Sequence, residues 1–135
     1  MNEFQLLSNF NSFMVSNAMY LAGVSFLIWV TFRAGLRIYD NGAPILHKVL
    51  VSIFGLGVVF NGLQINAFLQ VTWENTAYAL SQLENISGSS QSFVDFLGVT
   101  EPAVFSLIPA NPIFIVWWLA VLAMMLLPVW MKKGA

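Results

Sequence analysis

The chain has no cysteine and one histidine, His47. Disulfides, iron–sulfur clusters and thiolate metal sites are excluded within it, and a bis-histidine haem site cannot be built from one copy. Charge is equally scarce. Five basic and six acidic residues make 8% of the 135 positions, where an ordinary soluble domain carries about 25%. No basic block is present, and nucleic acid is not an expected partner. The first ten residues, MNEFQLLSNF, hold no Lys or Arg. They lack the positive start of a signal peptide, and the N-terminus is expected to be retained.

What remains is apolar. Hydrophobic residues make 59% of the chain, and the mean hydropathy is +0.78. Crossing about 30 Å of hydrocarbon takes about 20 mainly apolar residues. Three stretches meet that length, at about 13–32, 49–71 and 113–131. A spanning segment must satisfy its own backbone, so all three are expected as helices. The expected fold is therefore all-α: an integral membrane bundle of three transmembrane helices in one domain, 1–135, joined externally by residues 72–111.

Every Lys and Arg falls at one side of these spans. Arg33, Arg37 and Lys48 flank the first turn, and Lys132 and Lys133 follow the third span. The bias of basic residues toward the cytoplasm sets the expected orientation in an inner or plasma membrane: N-terminus outside, C-terminus inside. The turn YDNGAP is short, so spans one and two should form an antiparallel hairpin, with Pro44 opening the second helix. Arg33, Arg37, His47 and Lys48 are then candidates for contact with lipid headgroups or an anion.

In the external connection, Trp73, Ala77, Leu80 and Leu83 keep helical spacing, which predicts an amphipathic extension of the second helix ending near Gly88. The stretch SFVDFLGVTEPAVFSLIPANP is too apolar for a solvated loop. One or two short interfacial helices are expected there. Asn111 and Pro112 read as the N-cap and first residue of span three. Phe10, Phe13 and Met14 start span one or form a short helix of their own. Trp73, Tyr78, Trp117, Trp118 and Trp130 suit interfacial belts. Glu84, Asp95 and Glu101 have no spacing that fixes a metal site, and no metal or cofactor is expected. Asn85 begins a short glycosylation-type triplet.

The chemically unusual feature is FNGLQINAF, residues 60–68, which carries three amides inside the second span. At 100° per residue, Ser52, Gly55, Val59, Gly62 and Asn66 share one face, a stripe of small residues that admits a close helix. Span one has a matching stripe, Ala18, Ala22 and Ser25, and the two are expected to pack, with Asn66 reaching Ser25 or Thr31. Asn61 and Gln64 point elsewhere, toward span three. That span offers them no side-chain partner except indole N–H groups. An unpaired amide in hydrocarbon costs several kcal/mol, so a partner is expected from another subunit, another copy, or water in a pore. Span interiors hold no acid or base, which argues against a proton-coupled transporter. Three readings follow: a non-catalytic subunit of a larger membrane complex, a small homo-oligomeric channel or carrier, and, more weakly, part of an enzyme whose site other chains complete.

Overall fold

The computed structural model describes residues 1–133. It is all-helical, in the order α1 (Glu3–Asn41), α2 (Ile45–Ser81), α3 (Gly88–Leu97) and α4 (Pro112–Trp130), with no strand among the described residues. α1, α2 and α4 are each long and apolar enough to cross a membrane. At 1.5 Å per residue, α4 is about 28 Å long, whereas α1 and α2 run to about 58 and 55 Å. The two long helices therefore continue beyond α4 at one end, called here the far end. The other is the basic end.

Local chemistry fixes the boundaries. Asn2 caps α1 by accepting from the Gln5 N–H at 2.9 Å, and the Gln5 side chain accepts from the Asn2 N–H, a reciprocal capping box. The residues before span one thus belong to a single unbroken helix. At the basic end, α1 runs through Tyr39, Asp40 and Asn41, so the turn is shorter than YDNGAP. It is Gly42–Pro44, with Gly42 at φ +73°, a conformation that favours glycine. Asn111 accepts from the Ile113 N–H at 3.0 Å, with Pro112 as the first residue of α4. α2 ends at Ser81, short of Gly88, which instead opens α3. The reason is Ser87, whose hydroxyl caps the new helix by accepting from Ser90 N–H. Only one short helix forms in the connection, and residues 99–111 have no regular structure.

The core lies where α1, α2 and α4 meet, around Val24, Val58, Val59, Trp118, Val121 and Met125. α1 buries Asn17, Val24, Thr31 and Ile38, a seven-residue repeat, together with Gly35. Gly35 lets α4 approach closely: a Cβ there would lie 3.2 Å from the Met125 carbonyl. Arg33 and Arg37 stay exposed on the other side of α1, so the helix carries its packing face past its first basic residue.

At the far end, α1, the extension of α2, and α3 share an aromatic cluster. Phe10, Trp73 and Phe93 have ring centroids 5.7–6.5 Å apart, and the Trp73 indole N–H points at the Met14 sulfur at 3.1 Å. Ala77 and Leu80 are fully buried. The Glu3 carboxylate accepts from the Ser87 N–H and hydroxyl and from the Ser90 hydroxyl, joining the start of α1 to the start of α3. These hydrogen bonds, chiefly from Ser87, hold the Glu3 carboxyl below the usual carboxylate range. The irregular segment is pinned by the Ala103 N–H donating to Asn75 at 2.9 Å and by Phe105 against Phe68.

Candidate functional site

The small-residue face of α2 is occupied. Gly55, Val59 and Gly62 are buried, but their neighbour is chiefly α4, not a small stripe of α1. A Cβ on Gly62 would fall 2.1 Å from Trp118 Cη2, and one on Gly55 would fall 3.1 Å from Thr31 Cγ2 and 3.4 Å from the Met125 sulfur. The physical reason is volume. Glycine hollows accept large side chains, and Trp118 and Met125 fill them, whereas Ala18, Ala22 and Ser25 would leave voids. Those three residues are exposed on α1. Ser52, at the basic end of the stripe, accepts from the Trp130 indole N–H at 2.9 Å and donates to the Lys48 carbonyl.

Asn66 does not reach Ser25 or Thr31. Both hydroxyls bond back to their own helix, to Leu21 and Leu27 carbonyls at 2.8 Å. Asn66 instead lines a cavity of about 740 Å³ at the far end, with Gln70, Trp73, Glu74, Ser106 and Phe114 around it. Within the spans, Asn17 links α1 to α2: its amide donates to the Ile65 carbonyl at 3.3 Å.

Asn61 and Gln64 face away from α4. They line an open groove of about 1090 Å³ between α1 and α2, with Ser16, Tyr20, Gly23 and Phe68 among its walls. Asn61 is exposed and Gln64 half-buried. Neither side chain has a hydrogen bond among the described residues. Because α4 takes the glycine face, no third helix among the described residues covers the amides. Each amide offers two donors and an acceptor oxygen, which suits a backbone carbonyl, a hydroxyl or another amide. Gly23 has nothing within 4 Å of where its Cβ would be, so the α1 wall of the groove is open there.

At the basic end, Arg33, Arg37 and His47 line a further cavity, of about 440 Å³. Lys48 is separate: its ammonium lies 5.9 Å from the Trp130 ring centroid, on the α4 side. Glu84, Asp95 and Glu101 are not drawn together, and no group of three metal-ligating side chains occurs among the described residues.

The class is thus an all-helical chain with three helices of membrane-spanning length and composition. Compared with protein-family models, curated proteins and solved structures, it matches none.

Proposed function

We propose that the protein is a non-catalytic subunit of a larger integral-membrane complex, and that the α1–α2 groove receives a transmembrane helix of an unlike subunit. The observation that carries this reading is the uncovered pair Asn61 and Gln64 on the wall of that groove. On this reading the basic end is cytoplasmic and the far end external. Asn61 then lies deep in the hydrocarbon, where an interhelical hydrogen bond is worth about 0.6–2 kcal/mol and an unmet amide costs more. A second surface supports it. Phe96 and Val104 at the far end are 81% and 84% exposed, so the apolar connection is only partly covered by its own helices.

The test is mild-detergent purification from the native membrane followed by intact-complex mass spectrometry of wild type and Asn61→Leu. Unlike chains bound to the wild type, and lost from the variant while membrane insertion is unchanged, is the expected result. Copies of this chain alone would reject the unlike-subunit reading and favour the channel. Assembly indifferent to Asn61→Leu would remove the amides from the interface.

A further inference from the structure

We propose that the cavity at the basic end is a binding site for a phosphate group, carried by an anionic phospholipid. It is distinct from the amide groove and does not rest on what fills that groove.

Three features converge there. The first is charge. Arg33 and Arg37 stand one helical turn apart on α1, and the Gly42–Pro44 turn brings His47, in the first turns of α2, to the same cavity. No ion pair ties up any of the three among the described residues. The nearest acid in sequence, Asp40, is exposed and is not part of the lining. Two guanidinium forks and an imidazole donor match the oxygen atoms of a phosphate.

The second is the start of α2. Its N-cap is Pro44, which gives no side-chain hydrogen bond. No capping side chain therefore offsets the positive end of the helix dipole, and His47 of that first turn lines the cavity, an arrangement that favours an anion.

The third is a gradient of polarity. Trp29, Arg33, Arg37 and Asn41 recur every four residues along one face of α1, from aromatic to cation to amide, and Val30, Ala34 and Ile38 complete the wall. The stripe spans about 18 Å. Arg33 lies over the Trp29 ring, 5.4 Å from its centroid. A free anion needs only the polar end. An amphiphile uses the whole stripe, with its phosphate at Arg37, His47 and Asn41 and an acyl chain along Trp29 and Val30.

The experiment is native mass spectrometry of the full chain in neutral detergent. It is offered phosphatidylglycerol and phosphatidylcholine of identical acyl chains, with and without millimolar inorganic phosphate. Wild type should retain phosphatidylglycerol in preference to phosphatidylcholine. Each basic residue near an anionic lipid counts for about a factor of five, so Arg33→Gln/Arg37→Gln should lower that retention roughly twenty-five-fold. Lys132→Gln/Lys133→Gln removes the same charge outside the cavity and should leave retention unchanged. No preference between the lipids, or equal losses in the two double variants, overturns the site. Displacement by inorganic phosphate overturns the lipid as the source and transfers the cavity to the free anion. Circular dichroism of each variant separates loss of binding from loss of fold.

Discussion

The position of α4 decides which face of α2 is left open, and Gly62→Ala tests it directly. The added methyl would lie 2.1 Å from Trp118 Cη2 and 2.8 Å from Cζ2 and Cζ3, well inside van der Waals contact. Trp118 is only 4% exposed, so the rigid indole has little room to withdraw. Overpacking of this kind costs about 1–3 kcal/mol, and the severity of the clash places it near the top of that range. Replacing a helical glycine by alanine returns about 1 kcal/mol. The net loss should be about 2 kcal/mol. Gly57 is the control, because nothing lies within 4 Å of its added Cβ; Gly57→Ala should be neutral or slightly stabilising. Gly55→Ala, at 3.1 Å from Thr31 Cγ2, should fall between them. Trp118→Phe should rescue Gly62→Ala. The smaller ring vacates the contested space, and the indole N–H it removes is buried without a partner. Pairs in such contact couple by about 0.5–3 kcal/mol. Stability is read by titrating from mild detergent into SDS and following helical circular dichroism. Gly62→Ala as stable as wild type, or no coupling to Trp118, would mean that α4 does not pack on this face and that Asn61 and Gln64 are not left uncovered by it.

Other expectations concern the two ends. The Glu3 carboxyl is held below its usual range by Ser87 and Ser90. The link from α1 to α3 should therefore be complete above the ordinary carboxylate value and disappear as pH falls through the lowered one; proteolysis within 82–88 should accelerate across that window, and Glu3→Gln should give the faster rate at neutral pH. Asn75→Ala removes the acceptor for the Ala103 N–H, and one hydrogen bond of about 1 kcal/mol corresponds to roughly five-fold faster amide exchange near Ala103. The chain has no cysteine, so single thiols can be placed without background. An impermeant maleimide added to intact cells should label Ser89→Cys, and should label Asp40→Cys only after permeabilisation; the reverse pattern would invert the proposed orientation.

The long helices were legible because their signals are local. Apolar length marked all three spans, the Asn111–Pro112 pair marked the start of α4, and the Trp73, Ala77, Leu80 spacing carried α2 on toward Ser81. The end of α2 was harder to see, since Gly88 resembles a C-terminal stop until Ser87 is read as a cap for the helix that follows. Packing partners were the least legible. Periodicity identifies a small-residue face but not what fills it, and here bulk fits hollow: Trp118 and Met125 enter at Gly62 and Gly55, while Ala18, Ala22 and Ser25 face outward. The buried face of α1 carries a periodic signal of its own. Asn17, Val24, Thr31 and Ile38 recur every seven residues, and that stripe is the buried face of α1. Asn17 in it supplies the hydrogen bond to Ile65. At the basic end the short turn already groups Arg33, Arg37, His47 and Lys48 in the sequence; the side on which each lies does not follow from it, and the structure keeps the first three on one cavity and sets Lys48 toward Trp130.

The amides also bear on whether the groove conducts or binds. Asn61 and Gln64 are three residues apart, so they cover about 4.5 Å along α2. A water path across the hydrocarbon must be polar along about 30 Å. Moving along the same side of α2, the chain offers Phe68 beyond Gln64, and Gly57 and Phe54 before Asn61. On α1, the facing wall contributes Ser16 and Tyr20 near one end and then Gly23, Val24, Phe26 and Leu27. The polar stretch closes within about one helical turn and is bounded by aromatic side chains. Such a patch suits a single point of hydrogen bonding to a helix lying in the groove, with the aromatic residues as apolar contact on either side. A conduit would repeat the amide at each turn. The short patch is therefore the reason for preferring a seat for a partner helix over a channel built from copies of this chain.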